Sequence, residues 1–453
     1  MKRIIYFSIL SILLLAGSGC RKYVEIDEVG KRVLYYTADY QYLLNNTSTF
    51  EGSFFYPELA SDDVYVENDD YALLTEQSAK AYTWADQIWI DRDDTDWDLL
   101  YKQIGTCNEI IDGVMDSEGG TEAGKMNIRA QALVQRAYAY YCLVNIYARQ
   151  YDMGSASTDP GVPLLLAPDF FASLKRASVG TVYNQIESDL KEAITALPEF
   201  QENVSQASKA GAYGTLARMY LQTGAYELAA AYADSTLAIQ SSLLNLADYS
   251  GNPTGLPTKY DDPELIFSKI LSNYTLDVQL NPDLVAMFSE HDLRYRLFTA
   301  PGSDLAWNAA AGRVYWRPRL FSQGNYSGIC VPEMMLIKAE CLARGGDAAG
   351  VMAVINTLRE HRFMPEDFTE LNASGADEAL DLVLRERRME LMGRGYRWFD
   401  QKRLNKESRF ATTVTHQYQG ETYTLEPNSL NYVFPIADIY IVQNPEIGQN
   451  PRD

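Results

Sequence analysis

Two stretches of this chain place small residues at the same helical offsets, and that pattern limits its folding more than anything else in the sequence. Tyr213, Leu216, Ala217, Tyr220, Gly224, Tyr226 and Ala229 follow the order of a tetratricopeptide helix pair, and Ala339 and Gly346 repeat the spacing of Ala217 and Gly224. Small residues let paired helices approach, and a glycine closes the turn between them, so both pairs are expected at tight helix–helix contacts. Upstream, Ala130, Leu133, Val134, Ala137, Tyr138 and Tyr141 recur at helical spacing and predict one buried helix face. In these helices Tyr138, Tyr141, Tyr213 and Tyr220 read as core. The predicted class is mainly α: a tetratricopeptide-like helix-pair scaffold, more than half helical, with long irregular loops and a few short strands.

Near the C-terminus, Leu380, Val383, Leu384 and Leu391 form an apolar stripe, and Arg387 lies on the same face. Solvated helices keep charge on the outward side, so this arginine points to a partly buried ion network. Glu386, Glu390 and Arg397 are its expected partners, because a buried charge must be paired. Surface pairing at helical spacing is the alternative.

Between the helices lie two irregular, aromatic-rich regions, roughly 54–97 and 249–326, the second punctuated by Pro253, Pro257, Pro263, Pro282, Pro301 and Pro318. Loops this long inside a compact helical protein are usually functional. Tyr outnumbers Phe by 32 to 16, favouring rings with one apolar side and one wet end. A sugar ring offers an apolar C–H face and a hydroxyl rim, which suits a flat indole beside amides or carboxylates; a peptide suits it too. The expected ligand-binding residues are Trp307 and Trp316, flanked by Tyr315 and Tyr326, with Trp84 and Trp89 on a second wall. Asp304, Asn308 and Arg313 would supply polar contacts. Core packing is the competing reading for each Trp, Trp97 included, and Trp398 reads as structural.

Other chemistry is sparse. The three histidines, His291, His361 and His416, are far apart and have no companion cysteines, so no catalytic or metal site is predicted. No phosphate loop or nucleophile elbow is present. The run Asp91–Asp98 resembles a calcium loop but has Asp96 at the turn-glycine place and Lys102 at the bidentate-glutamate place, so a solvated loop or helix start is preferred. Carboxylate pairs for glycoside hydrolysis need a defined separation, and among 61 acidic residues pairs arise by chance. The formal charge of −22 disfavours nucleic acid. Cys107, Cys142, Cys330 and Cys341 read as buried and inert, with a Cys107–Cys142 bridge left open.

The first residues read as a signal, 1–19. Lys2 and Arg3 precede a short apolar run, and Ala16, Gly17, Ser18 and Gly19 lead to Cys20. The run is too short to span a bilayer. A Cys directly after it points to a lipoprotein signal with Cys20 acylated, where a stable anchor takes more than one chain. Gly17 stands where such signals usually have Leu, so an ordinary cleaved signal stays open.

Five segments in register resemble the SusD/RagB family of nutrient-binding outer-membrane lipoproteins. They are Ile128–Tyr147 with Gly161-Val162-Pro163-Leu164; Tyr183–Ala193 ending in Leu197-Pro198; Pro332–Glu340 with Ile355-Asn356 and Leu358-Arg359; Leu384–Leu391 with Gly395–Arg403; and Phe434-Pro435-Ile436 with Asn444–Pro451. Arg394 and Gln401 depart from the pattern, which usually has an acidic and an apolar residue there. The resemblance implies about four helix pairs and one domain in two halves, 20–235 and 236–453. It also implies a non-enzymatic, cofactor-free binding protein, lipid-anchored at the outer membrane and facing outward, seated over a SusC-like TonB-dependent barrel. An oligosaccharide is the expected ligand, with peptide capture as in RagB-like members the alternative. A periplasmic tetratricopeptide interaction scaffold is the reading from another class, and it would not need the aromatic loops.

Overall fold

The computed structural model describes residues 34–66, 74–273, 278–305, 311–316 and 324–453. The signal segment with Cys20, and the site candidates Trp307 and Asn308, lie outside the described residues. Helices take up 50% of the residues and strands 9%, so the chain is mainly helical, at half rather than above it.

The frame consists of α1 (Thr95–Gly113), α2 (Glu122–Tyr147), α3 (Val179–Ile194), α4 (Lys209–Thr223), α5 (Tyr226–Ile239), α6 (Val331–Arg344), α7 (Ala348–Glu360), α8 (Ala376–Glu390) and α9 (Arg397–Leu404). From α1 to α8 each helix packs on the next in chain order, and α5 packs directly on α6. The second aromatic region is therefore an excursion between two helices that touch. The side chains of Asp94, Thr121, Ser178, Ser208 and Asp347 accept backbone N–H groups at the starts of α1, α2, α3, α4 and α7, satisfying donors that a helix leaves open.

The predicted face of α2 is buried, but so is every residue from Ala130 to Tyr147. A helix covered on all sides is a central element. Its polar side chains consequently need internal partners: Arg136 is bidentate to Asp189 at 2.8 Å, and Gln135 accepts from Lys269. Tyr138, Tyr141 and Tyr220 are core as expected. Tyr213 is only partly buried, its ring 5.9 Å from that of Tyr232.

The helix-pair glycines close their turns as expected, but not at tight helix contacts. Gly224 and Gly346 have φ of +77° and +89°, and nothing lies within 4 Å of where a Cβ would stand. They close the turns through left-handed backbone, which L-residues resist, and not through close packing. The tight approach belongs to Gly214 on α4, where a Cβ would fall 2.3 Å from Ile329 Cγ2.

The buried arginine of α8 is present, with other partners. Arg387 is 4% exposed and its Nε lies 2.8 Å from Asp400 of α9. Asp400 also accepts from Arg403, which continues to Glu340 of α6. Glu386 and Glu390 instead bind Arg294 at 2.6 and 3.0 Å, and Glu390 binds Arg362 as well. Arg397 binds Asp62. Adjacent residues on a helix do not face one another, so Glu386 was never placed to meet Arg387. Glu390, one turn on, is already held by two guanidiniums. Of the two departures from the family pattern, Arg394 is buried with Nη1 3.2 Å from Cys330 Sγ, and Gln401 is buried. Elsewhere in the core Arg218 of α4 forks onto Glu333 of α6 at 2.7 and 2.6 Å, joining the first half of the frame to the second.

Cys107 and Cys142 are free, not bridged, and burial pushes both thiols up to about 12. No helix among the described residues is long and apolar enough to cross a membrane.

Candidate ligand-binding site

The two aromatic regions, distant in sequence, are sewn together by short strand pairings. Strand β1 (Val64–Tyr65) in the first region pairs antiparallel with β5 (Gln279–Leu280) in the second. Ile270 bridges Gly52 on one side and Tyr326 on the other. Asp96 adds a polar stitch: one carboxylate oxygen accepts the backbone N–H groups of Phe55 and Tyr56, and the other accepts the Ser272 hydroxyl at 3.0 Å. Burial pushes its carboxyl up to about 6 despite those bonds. Asp94 caps α1 and receives the Tyr147 hydroxyl at 2.5 Å. The acidic run is thus a helix start whose central carboxylates are spoken for by N–H and O–H donors, and no cluster with metal-ligand composition occurs among the described residues.

The predicted platform centres on an antiparallel hairpin, β6 (Thr299–Pro301) with β7 (Arg313–Tyr315), in which Thr299 faces Tyr315 and Pro301 faces Arg313. Trp307 and Asn308 fall between these two strands in sequence, outside the described residues. The base of the loop is fixed. Val314 and Tyr315 point into the protein. Tyr315 packs on the α8–α9 turn at Gly393, whose φ is +70° and where a Cβ would lie 2.5 Å from the ring. That glycine needs both its backbone freedom and its missing side chain.

Arg313 serves the hairpin itself. Its Nε donates to Thr299 Oγ1 at 2.7 Å and one Nη to the carbonyls of Tyr295 and Thr299, while the guanidinium lies 3.9 Å above the Tyr295 ring. These bonds commit it to holding the loop's foot. Trp316 continues β7, its backbone N–H bonded to Phe298, and its ring is half-buried against Leu305 and Val314. Asp304 is exposed on the opposite arm. Tyr326 is buried, 3% exposed. Of the described candidates, Asp304 is thus exposed and Trp316 half-buried, while Tyr315 and Tyr326 are buried.

Trp84 and Trp89 do not form a second wall in this conformation: they are 5% and 3% exposed. His416 is stacked between Tyr82 and Trp84, ring centroids 4.0 and 4.3 Å away, and burial pulls the imidazole down to about 4. Trp84 Nε1 donates to the Ala60 carbonyl. Trp89 packs edge-on against Tyr56 and beside Phe434. Trp97 and Trp398 are core too. Part of the cover over Trp84 and Trp89 comes from the far end of the chain, from His416 and Phe434.

Gln279 carries no sequence signal, being one of the two residues of β5. It is 2% exposed beside β7, and a Cβ on Gly312 would come 1.8 Å from its Oε1. Its Nε2 has no hydrogen-bond partner among the described residues, which leaves an uncommitted amide donor at the foot of the loop.

With this geometry in hand, the comparisons with known proteins are consistent along the chain. Residues 34–221 match a family model described as starch-binding, associating with the outer membrane, and residues 325–452 match the model of the SusD family. The SusD-like protein P2 of Formosa agariphila is 25% identical over 373 residues, covering 68% of this chain and 71% of that protein. The SusD-like protein P38 of the same organism is 32% identical over 125 residues, a match that spans only 22% of P38 and 26% of this chain. A putative sugar-binding protein of Bacteroides vulgatus superposes with a TM-score of 0.73 at 20% identity, covering 93% of this chain and 99% of its own. A laminarin-binding SusD-like protein superposes with a TM-score of 0.66 at 19% identity, covering 92% and 99%. By its matched segments and its fold, the chain belongs to the SusD/RagB family, whose members are non-catalytic binding proteins.

Proposed function

We propose that the protein is an outer-membrane lipoprotein, anchored through Cys20 and facing outward, that binds a nutrient oligosaccharide and delivers it to a SusC-like TonB-dependent transporter. The observation that carries the sugar reading is the β6–β7 hairpin. Its foot is locked by Arg313 and Tyr315. Its arms present a half-exposed Trp316 and an exposed Asp304, and Trp307 and Asn308 fall between them in sequence. A ring face for the C–H side of a sugar, next to carboxylate and amide groups for its hydroxyls, needs no ionisation change and no nucleophile. The family description and the sugar-binding fold relatives support this ligand class.

The test is a glycan array probed with the chain starting after Cys20, followed by calorimetry on the best glycan. Trp307→Ala and Trp316→Ala should each weaken binding while circular dichroism stays unchanged. An array without hits, with binding to a peptide library instead, would replace sugar by peptide. For the anchor, Cys20→Ala should move the protein out of the membrane fraction.

A further inference from the structure

The most exposed large apolar side chains of the described structure are two neighbours, Phe170 and Phe171, each 97% exposed. They sit in the 164–175 connection of a second hairpin, β2 (Pro160–Pro163) with β3 (Arg176–Ser178), together with Leu166, itself 41% exposed. Single exposed apolar residues need no explanation, but adjacent phenylalanines with almost no protein contact do.

The connection is braced along its length. At its foot the Tyr140 hydroxyl donates to the Leu165 carbonyl and accepts the Leu165 N–H, while Tyr101 donates to Pro163 and Arg136 to Leu166. At the tip, Asp169 accepts the Phe171 N–H at 2.9 Å through its side chain and the Ala172 N–H through its carbonyl. On the return, both oxygens of Glu446 are engaged, by Leu174 N–H at 2.7 Å and by the Ser173 hydroxyl at 2.9 Å. The two rings are thus held outward on a turn fixed from both sides. A preorganised aromatic pair loses little freedom on burial, which is what makes such residues dominant anchors in protein interfaces.

The surrounding charge selects between a protein and a lipid surface. Loops and helices that enter a bilayer interface are ringed by Lys and Arg. Here Asp169 and Glu446 flank the rings, and Arg176 is turned inward onto the carbonyls of Gly161, Pro160 and Tyr147. Lys175 is the exposed cation of this segment. On a chain of formal charge −22, that pattern fits an apolar pocket with a basic rim on a protein.

We propose that the Phe170–Phe171 turn is a docking anchor that inserts into an apolar, basic-rimmed pocket of the partner protein. Taking the SusC-like barrel as that partner rests on the function proposed above.

The test co-expresses the full lipidated chain with its SusC-like barrel and measures the barrel retained on the tagged lipoprotein in detergent. Phe170→Ser with Phe171→Ser should lower retention by about tenfold or more, as loss of interface anchors does. Because neither ring packs on the protein, melting temperature and glycan affinity should hold. Retention equal to wild type in the folded double variant overturns the anchor and leaves delivery to the barrel intact. Failure of the wild-type chain itself to retain the barrel overturns the partner assignment, and the anchor's occupant with it. Flotation with phosphatidylethanolamine–phosphatidylglycerol vesicles, or concentration-dependent dimerisation in sedimentation, would also overturn the proposal if the double substitution abolished it, by giving the pair to a lipid surface or to a second copy.

Discussion

Arg218 and Arg313 both lie over a tyrosine ring, 4.1 Å from Tyr396 and 3.9 Å from Tyr295, and both reach several acceptors. Their surroundings differ. Arg218 is 2% exposed and forks onto a carboxylate, Glu333, that is fully buried. Arg313 is partly exposed, and the acceptors of its hydrogen bonds are a hydroxyl and two backbone carbonyls. Removing the first charge strands another charge in the core; removing the second strands none. The helical frame is therefore brittle to charge loss, whereas at the hairpin the loss of Arg313 leaves no buried charge behind. That division suits a binding protein whose loops must vary in ligand while the frame stays fixed.

The largest expected effect comes from breaking the frame at that point. Among the described residues no second cation pairs with Glu333, so Arg218→Met should cost about 3–5 kcal/mol in urea unfolding, the penalty of an uncompensated buried charge. A loss under about 1 kcal/mol, the range of exposed pairs, would erase the contrast with Arg313.

Acid gives the next largest. Burial alone would raise the Glu390 carboxyl, but the guanidiniums of Arg362 and Arg294 outweigh it and hold the group at about 2, against an ordinary 4.5. A depressed folded value contributes stability above pH 4.5 that is lost as pH falls towards 2, on the order of 3 kcal/mol. Glu58 and Asp96, pushed up to about 8 and 6 chiefly by burial, act in the opposite sense. The measurement is accordingly a difference: the urea midpoint of wild type should drop more steeply between pH 4.5 and 2.5 than that of Glu390→Gln. Parallel curves would remove Glu390 from the network.

Arg387→Ala is expected to cost less than Arg218→Met. Asp400 keeps Arg403 when Arg387 is gone, and Arg387 Nη1 is itself a buried donor without a partner among the described residues. A destabilisation of about 1–2 kcal/mol follows, against the 3–5 of a fully stranded partner. A double-mutant cycle with Arg403→Ala should show strong coupling, since the two arginines share one carboxylate.

What the sequence conveyed and what it withheld follow the same divide. Helical period made α2, the α4–α5 turn and the α6–α7 turn readable, because each is written in residues a few positions apart. It also placed Arg387 on a buried face. The pairings were not readable: Arg294 reaches Glu390 across 96 positions, and Asp63 holds Arg388 across 325. Trp84 gave no sign of its fate, since the imidazole stacked on it comes from His416 near the other end of the chain. Local sequence reports a residue's own face, and only the closed fold reports what covers it. The same limit made Tyr315 and Trp316, consecutive residues at the end of one strand, look alike when one faces the core and the other the surface.

Trp316→Ala sharpens the comparison from the hairpin side and should be the mildest of these changes to stability. The ring is half-buried against Leu305 and Val314, in a small apolar cluster apart from the main core. Its backbone N–H bond to Phe298 survives truncation, as do the Arg313 bonds that hold the foot of the loop. The unfolding midpoint should move by an amount typical of surface positions, about 0.5 kcal/mol or less. Glycan affinity, by contrast, should fall about tenfold or more, since an aromatic platform contributes on the scale of a dominant contact. Tyr315→Ala is the control one residue away: its ring fills the space over Gly393, so it should unfold at markedly lower urea through cavity formation. Should Trp316→Ala instead behave like Tyr315→Ala, losing stability and affinity together, the hairpin would be part of the frame and the ligand would have to be sought on another face.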